Sequence, residues 1–326
     1  MNKMIVDCFT FFNELDLLEI RLKYLYDSVD YFIIVEADKT HNGEDKNYFL
    51  KDNMDRYKSF QDKMIYVPIK IEDYDKEEYV AGETDAWKRE IYQRNSIEIG
   101  LRELNLKPND LILISDLDEI PNKLILKNLK KGKSIVRRKI SIKSLEILIY
   151  ALKLIFKKQS KRRKYAIRIK LFYYTKIKRY SDPVIFRMSF FYYYLNYKKI
   201  NGFWPGMVCV EASLFKIFKP DDVRNFRKLP LKYINNGGWH FSYLGGIEAI
   251  KYKLKNFAHQ EFNNPDIVND EYIQFCIKNG SSLFDYYENK SKTREYDTYE
   301  ITEFPEDMRT IVAAYQHLLI RETRLE

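Results

Sequence analysis

The stretch Leu-Ile-Leu-Ile-Ser-Asp-Leu-Asp-Glu-Ile-Pro at residues 111–121 decides the fold class of this chain. Four apolar residues run directly into a segment that carries three acidic residues, Asp116, Asp118 and Glu119. A short continuous apolar run is typical of a strand that is buried on both faces of a parallel sheet. Ligands bind beyond the carboxyl ends of the strands in such sheets. We therefore expect the three acids to lie at a ligand site.

The residues before this stretch alternate between predicted strands and predicted helices. Apolar and β-branched runs at residues 4–10, 31–35 and 64–69 predict three more strands. Apolar residues at helical spacing predict one helix after Asn13, whose side chain can cap its first turn, and another over residues 83–105. This alternation predicts an α/β fold with a Rossmann-like, mostly parallel central sheet and helices on both faces.

The second half of the chain has a less regular pattern. Aromatic and apolar runs at residues 189–196 and 207–212 predict two strands. The segment Gly-Gly-Trp-His-Phe-Ser-Tyr-Leu-Gly-Gly at residues 237–246 is bracketed by glycines and is predicted to be a loop. Residues 247–257 are predicted to form a helix after it.

The composition narrows the class of protein. Of the 326 residues, 45% are hydrophobic and 32% are charged, which fits a soluble globular protein and excludes a disordered one. The three cysteines, Cys8, Cys209 and Cys276, stand far apart in the sequence. This spacing disfavours a cysteine zinc site or a disulfide framework. No apolar run reaches the roughly 18 residues that a membrane-spanning helix needs.

The net charge of +9 is unevenly distributed. Residues 123–179 contain 21 Lys and Arg residues against a single acid, Glu146, whereas the remainder has 35 basic and 46 acidic residues. Within this basic segment, apolar residues recur at helical spacing over residues 142–156, which predicts a basic amphipathic helix. Such a helix suits an anionic membrane surface, and a solvated helix that packs on its own domain is the alternative. Nucleic acid is not expected, because the segment contains no recognisable binding motif.

The acidic motif itself predicts a metal site. Alternate residues of an extended segment point the same way, so Asp116 and Asp118 can converge on one cation. Carboxylates together with substrate phosphate oxygens are the usual ligands of Mg²⁺ or Mn²⁺. A calcium-binding EF loop is excluded, since its sixth and twelfth positions are Pro121 and Lys127 instead of Gly and Glu. A solvated acidic turn is the alternative to a metal site.

Three further segments carry residues that suit ligand binding. Glu36 and Thr40 follow a predicted strand and can hydrogen-bond a base or a ribose, although an ordinary polar loop would look the same. Arg94, on a predicted helix, can pair with a diphosphate or with the acids, and a surface ion pair is the alternative. His240 lies between aromatic residues and is a third potential metal ligand or a core histidine.

Taken together, these residues resemble glycosyltransferase family 17, which includes the enzyme that adds the bisecting N-acetylglucosamine to N-glycans. The blocks occur in the order of the family over roughly residues 4–265. The resemblance is carried by residues 12–22, by residues 34–37 with Thr40 and Gly43, by Arg89, Glu90 and residues 93–95, by residues 115–121, and by residues 238–242 with Glu248, Lys253 and Leu254.

The resemblance implies a nucleotide-diphospho-sugar transferase fold of the GT-A type and an inverting transfer, typically of N-acetylglucosamine from UDP-N-acetylglucosamine. Asp116 is then expected to contact ribose or metal, Asp118 to bind the Mn²⁺ or Mg²⁺, and His240 to complete the metal site. The metal would act as a Lewis acid on the leaving diphosphate. Residues expected to contact the donor are Asn13, Glu36, Thr40, Arg94 and Asp116.

An inverting transfer also needs a carboxylate base near the acceptor hydroxyl. Glu248 is the predicted base, with Glu211 and Glu261 as rivals. We predict a nucleotide-sugar-binding half at residues 1–122, a basic helical insertion at 123–182, an acceptor half of the same domain at 183–265 and a helical tail at 266–326.

The leading hypothesis is thus a metal-dependent glycosyltransferase that extends a bacterial cell-surface polysaccharide or glycolipid. A catalytically idle sugar- or nucleotide-binding module is the second hypothesis, and a basic nucleic-acid-binding protein is the third. Because the chain begins at its first predicted strand, we expect a cytoplasmic enzyme. Residues 123–180 would dock it on the inner face of the cytoplasmic membrane, where lipid-linked acceptors are built.

Overall fold

The computed structural model describes residues 3–73, 84–132, 159–178, 180–284 and 294–320. The predicted amphipathic helix over residues 142–156 lies outside these described residues. In the described part of the chain, no helix combines the length and the apolar character that crossing a membrane requires.

The first half of the chain forms a parallel sheet. Its strands are β1 (Ile5–Phe11), β2 (Tyr31–Ala37), β3 (Met64–Ile69) and β4 (Leu111–Asp116), in the spatial order β3-β2-β1-β4. All three pairings between neighbours in this order are parallel. The predicted Rossmann-like arrangement is therefore correct for this half, with strand ends that differ from the predicted ones by two residues or fewer.

The second half makes the sheet mixed, so the prediction of a mostly parallel sheet is wrong for the whole molecule. The strand β8 pairs antiparallel with β4 and carries the sheet on through β6 and β7 to β11. These later strands are β5 (Glu119–Pro121), β6 (Val184–Tyr192), β7 (Tyr197–Lys199), β8 (Trp204–Glu211), β9 (Lys232–Ile234), β10 (Gly238–Ser242) and β11 (Tyr296–Thr298).

The segment predicted as a glycine-bracketed loop contains a strand instead. β10 pairs antiparallel with β5, and His240 lies opposite Glu119 in that register. Gly238 has a φ of +142°, and a Cβ there would lie 2.1 Å from the carbonyl oxygen of Ile120. Glycine at this position permits the close approach of the two backbones and is not evidence of a loop.

Helices cover both faces of the parallel half. They are α1 (Leu15–Leu25), α2 (Phe49–Asp52), α3 (Asp85–Asn95), α4 (Ile97–Arg102), α5 (Lys123–Lys130), α6 (Gln159–Phe172), α7 (Pro220–Asn225), α8 (Gly246–Asn256), α9 (Asp270–Asn279) and α10 (Glu306–Ala313). The predicted single helix over residues 83–105 is interrupted at Ser96, where α3 ends and α4 begins. Short 3₁₀ turns connect several of these elements.

Side chains alternate along each strand, so the parallel half of the sheet has one core on each face, and a third core lies around Tyr192 in the second half. From β1, Ile5 and Phe9 join the core that α1 and α10 cover, whereas Val6 and Cys8 join the core that α4 covers. A strand with apolar residues on both faces reads as a continuous apolar run, which explains why the sequence pattern revealed these strands. The carboxyl ends of β1 and β4 lie between these layers at one edge of the sheet.

Candidate active site

A cavity of about 1080 Å³ opens at the carboxyl ends of β1 and β4. Thr10 and Phe11 from β1 and Asp116 from β4 line it, as expected for the ligand site of a parallel sheet. Its charged lining residues include Glu14, Glu90, Arg94, Asp116, Asp118, Asp221, Arg224, Arg227, Lys228, His240 and Lys253. A cavity of this volume admits a nucleotide sugar.

Two arginines hold Asp116 at the end of β4. Arg224 donates to its Oδ2 at 2.6 Å, and Arg94 donates to its Oδ1 at 3.2 Å. Burial alone would raise the pKa of Asp116, but the charges of Arg224 and Arg94 outweigh it and hold the pKa well below its usual range. Asp116 is therefore ionised, with each carboxylate oxygen accepting a hydrogen bond from a guanidinium group.

Asp118 lies two residues further on and has different partners. His240 Nε2 lies 3.3 Å from its Oδ1, and Lys253 Nζ lies 3.3 Å from its Oδ2. Burial raises the pKa of this carboxyl, but His240 and Lys253 more than offset that effect and lower it to about 2. The two aspartates thus line one cavity while they are held by separate sets of residues.

Glu119, the third acid of the motif, is fully buried. Its Oε1 accepts hydrogen bonds from Trp204 Nε1 at 2.6 Å, from Arg224 at 2.6 Å and from Arg227 at 3.3 Å. A buried carboxylate with three donors is well compensated, so Glu119 anchors the wall that carries Arg224 and Arg227. This residue has a structural role that its position in the acidic motif did not reveal.

His240 contacts two aromatic rings. The ring of Phe190 lies 4.8 Å from it at an interplanar angle of 11°, the ring of Trp204 lies 4.6 Å from it at 24°, and these two rings contact each other at 5.5 Å. The antiparallel pairing of β10 with β5 brings the histidine beside the acidic motif. Among the described residues, nothing hydrogen-bonds the buried Nδ1 of His240. The ring is fixed in orientation, with Nε2 directed at Asp118.

Arg21, from α1, binds the backbone of the acidic motif through its guanidinium group. This fully buried arginine forms an ion pair with Asp7 at 2.6 Å and donates to the carbonyl oxygens of Asp116, Leu117 and Glu119 at 2.9, 2.9 and 3.1 Å. Because three carbonyls converge on one guanidinium, the backbone curls around it. The side chains of Asp116 and Asp118 are consequently directed into the cavity.

The predicted metal ligands are only partly brought together. Asp118 and His240 supply a carboxylate oxygen and an imidazole nitrogen side by side, which suits an ion that is also bound by substrate phosphates. Asp116 does not join them, because both of its oxygens are engaged by arginines. Across the described ranges, no three His, Cys, Asp or Glu side chains are grouped so that they could hold a metal ion.

Of the residues predicted to contact the donor, only Arg94 and Asp116 line the cavity. Glu36 is fully buried and accepts hydrogen bonds from Lys46 at 3.1 Å and from Tyr66 at 2.8 Å. Thr40 is also buried, and its hydroxyl accepts from the backbone of Glu44. Asn13 is not among the lining residues, nor does its side chain cap α1. These three residues support the loops near the cavity.

The predicted base also lies away from the cavity. The side chain of Glu248 is 82% exposed and pairs with Lys251, and this residue is not among those that line the cavity. The rivals Glu211 and Glu261 pair with Lys3 and His259 and are not among them either.

Glu14 does line the cavity, and its carboxylate lies 3.6 Å from Lys253. A carboxylate that lines the cavity beside Lys253 is therefore one that the sequence interpretation did not select.

The sequence interpretation missed Arg21, Trp204, Arg224 and Arg227 as site residues. Arg224 and Arg227 lie in a polar segment around α7 that has no motif, so no sequence signal marked them. Arg21 is one of the residues that carry the family resemblance, and an arginine within an apolar helical stripe is a signal that could have identified it.

The comparisons with known proteins agree with this geometry. The family model described as Glycosyltransferase family 17 matches residues 1–208. The chain is 28% identical over 123 residues to the beta-1,4-mannosyl-glycoprotein 4-beta-N-acetylglucosaminyltransferase of Rattus norvegicus, which covers 36% of this chain and 22% of the relative. It is 31% identical over 113 residues to the Homo sapiens protein of the same name, covering 33% and 20%.

The chain thus spans about a fifth of the length of the curated relatives that it matches. The family match covers more than half of the chain and includes β1 to β4, the acidic motif and part of β8. These are the elements that build the parallel half of the sheet and one wall of the cavity. On that basis, the chain belongs to glycosyltransferase family 17.

Proposed function

We propose that this protein transfers N-acetylglucosamine from UDP-N-acetylglucosamine to a hydroxyl group of a glycan acceptor. The observation that carries the proposal is the cavity at the carboxyl ends of β1 and β4, with Asp118, His240 and Lys253 grouped inside it. Family membership and the printed activity of the relatives support the choice of reaction and of sugar. The predicted GT-A fold belongs to the same proposal.

The basic residues of the cavity suit the diphosphate of such a donor. Arg94, Arg224, Arg227, Lys228 and Lys253 all line it. Arginine pairs with phosphate oxygens in a bidentate geometry, and lysine provides a point charge. Charge that develops on a departing diphosphate would be stabilised by cations that are already fixed in place before the reaction.

Asp118 and His240 are the residues that would hold the expected Mn²⁺ or Mg²⁺ together with the donor. A bound divalent ion offsets the negative charge of a leaving diphosphate. Lys253 Nζ lies 3.3 Å from the carboxylate of Asp118. The low pKa of Asp118, about 2, keeps the carboxylate ionised and able to bind a cation at neutral pH.

Glu14 is our candidate for the base that takes the proton of the acceptor hydroxyl. Its carboxylate lies inside the cavity beside Lys253, whereas that of Glu248 is 82% exposed and bonded to Lys251. A general base has to reach the proton that it removes, and geometry is the first criterion. If Glu248→Gln abolished transfer while Glu14→Gln did not, the original prediction of Glu248 would be restored.

The acceptor and the cellular site belong to the proposal as well. A bacterial cell-surface polysaccharide or lipid-linked glycan remains the proposed acceptor class. Docking on an anionic membrane through residues 123–180 remains a prediction, since residues 133–158 lie outside the described part of the chain. The described helix α6, with basic residues Lys161 to Lys164 near its start, belongs to this segment.

The test of the proposed function is donor turnover by Asp118→Asn. With UDP-N-acetylglucosamine and Mn²⁺ present, the native protein should slowly release UDP, and the variant should release it at least about 100-fold more slowly, as for other losses of a charge-stabilising group. Asp182→Asn is the matched control, because Asp182 pairs with Lys176 and Lys232 and is not among the residues that line the cavity.

The outcomes separate the proposal from its main alternative. Equal turnover by the Asp118→Asn variant and the native protein would contradict the assigned role of the carboxylate. Binding of UDP-N-acetylglucosamine without any turnover, with a range of glycan acceptors present, would instead favour the catalytically idle sugar- or nucleotide-binding module.

A further inference from the structure

A second, smaller cavity of about 150 Å³ lies beside the first. Arg227 and Leu229 line both cavities, so the two share a wall. The remaining lining residues of the smaller cavity come from β6, β8, β9 and the segment before β9. They are Ile185, Arg187, Phe203, Pro205, Pro230, Leu231 and Tyr233.

Arg187 is held there by aromatic rings. Its guanidinium carbon lies 3.9 Å from the centre of the Phe203 ring and 3.3 Å from that of the Tyr233 ring. Because aromatic rings lie against the guanidinium, the N–H groups at its edge are the part that can hydrogen-bond a ligand. Within the described ranges, the contacts recorded for this guanidinium are these two rings, with no carboxylate partner.

The backbone of β6 contributes to this arrangement. The pairing of β6 with β8 shifts its register between Ile185 and Arg187, as a β-bulge does. Bulges change the direction of a side chain and are common beside functional sites. The bulge lies at the position where Arg187 meets the ring of Phe203, which precedes β8.

Arg227 adds a second positive charge that is incompletely compensated. Its contact with Glu119 is 3.3 Å long, and the same oxygen of Glu119 already accepts bonds of 2.6 Å from both Arg224 and Trp204. Burial and the neighbouring charge of Arg224 lower the pKa of Arg227 to about 10. An anion beside Arg187 and Arg227 would relieve this repulsion.

The lining of the smaller cavity includes an exposed aromatic ring. Phe203 is 49% exposed. Exposed aromatic rings provide flat platforms for the apolar faces of sugars. Two arginines and an exposed ring in one small cavity therefore suit a sugar that carries an acidic group.

We propose that the cavity between Arg187 and Arg227 binds an anionic substituent of the acceptor, either the carboxylate of a uronic acid or the phosphate of a sugar phosphate. As an acceptor subsite, this inference rests on the proposed transferase function. The shared wall places the charged group of the acceptor next to the donor cavity. The volume of about 150 Å³ suits the acidic group and part of one ring, with the rest of the sugar lying along Phe203.

The test is calorimetric titration of the full chain with D-glucuronate, D-glucose 6-phosphate, inorganic phosphate and D-glucose. Both acidic sugars should bind more tightly than glucose, and the tighter of the two identifies the acidic group. Inorganic phosphate should bind more weakly than glucose 6-phosphate, because it lacks the ring that contacts Phe203. The variant Arg187→Ala should weaken binding of the acidic sugars about tenfold or more, as expected from losing a charge-assisted bidentate contact.

Arg56→Ala is the matched control, because Arg56 also lies over an aromatic ring, that of Tyr57, and lines neither cavity. It should leave the affinity for the acidic sugars unchanged. If Arg187→Ala fails to fold, Arg187→Lys keeps the charge but loses the planar fork, and it should still weaken binding several-fold. The inference would be overturned if neither glucuronate nor glucose 6-phosphate bound more tightly than glucose, or if the folded Arg187 variants kept full affinity.

Titration of the same proteins with UDP separates this inference from the proposed function. Intact UDP binding with no preference for acidic sugars would overturn the acceptor subsite alone. Absence of UDP binding, together with glucuronate binding that depends on Arg187, would support the anion site and count against the transferase.

Discussion

Two sides of one cavity hold neighbouring acidic side chains through different partners. On the arginine side, Asp116 and Glu119 are held by Arg224 at 2.6 Å, with Arg94 and Arg227 as further partners. On the histidine side, Asp118 is held at 3.3 Å by His240 and by Lys253. Short contacts to arginine fix a wall, whereas longer contacts to a histidine and a lysine leave a carboxylate that a ligand can engage. The arginine side therefore forms a fixed wall, and the histidine side is where we expect a ligand to bind.

The largest effect on stability is expected from a substitution on the arginine side. Arg224→Met should lower the free energy of unfolding by about 3–5 kcal/mol, because it leaves the fully buried Glu119 and the partly exposed Asp116 without their shortest cationic partner. Urea unfolding followed by circular dichroism measures this change. A loss below about 1 kcal/mol would mean that the arginine side is not the supporting wall.

Removing the charge of Asp118, on the histidine side, should have a smaller effect on stability, and this effect depends on pH. The pKa of Asp118 is about 2 in the folded chain against an ordinary value of 3.8, so the fold favours the ionised carboxylate. This contributes about 2 kcal/mol of stability above roughly pH 4, which is lost as the pH falls towards 2. Asp118→Asn should thus be less stable than the native chain at pH 7 by about this amount.

The measurement is urea unfolding of both proteins at several pH values between 7 and 2. The difference between them should shrink below about pH 4. A difference that stays constant over this range would show that Asp118 is not held by charge, and the contrast between the two sides would lose its electrostatic basis.

The smallest effect is expected for a carboxylate outside the cavity, which serves as a reference for the other two substitutions. Glu248→Gln removes an exposed ion pair with Lys251, and such pairs contribute little to stability. We expect a change in unfolding free energy within about 0.5 kcal/mol and donor turnover within about twofold of the native rate. A large loss of turnover would place Glu248 back at the centre of the reaction.

The strands in the two halves of the sheet were not predicted equally well from the sequence. The strands β1 to β4 were predicted because burial on both faces produces a continuous apolar run. β10 was missed because its glycine, which a close backbone contact requires, looks like a loop signal. The mixed order of the second half depends on pairings between segments far apart in the chain, such as β4 with β8, which local patterns do not encode.

The candidate site was predictable to a similar, limited extent. Asp116, Asp118, His240 and Arg94 were selected from their sequence context, and the structure places all four on one cavity. Arg224 and Arg227 were not selectable, because their role arises only when α7 and the turn after it pack beside β4 and β8. Glu36 and Thr40 illustrate the converse, since polar residues after a strand can stabilise loops instead of binding a ligand.

Gly238 has a practical consequence for protein engineering. A Cβ at this position would lie 2.1 Å from the carbonyl oxygen of Ile120 and 2.8 Å from the Cα of Pro121, so even alanine would push β10 away from β5. A substitution at Gly238 is therefore expected to displace His240, which β10 carries, relative to Asp118. Variant libraries are better aimed at Phe203, which is 49% exposed and lies outside both strands.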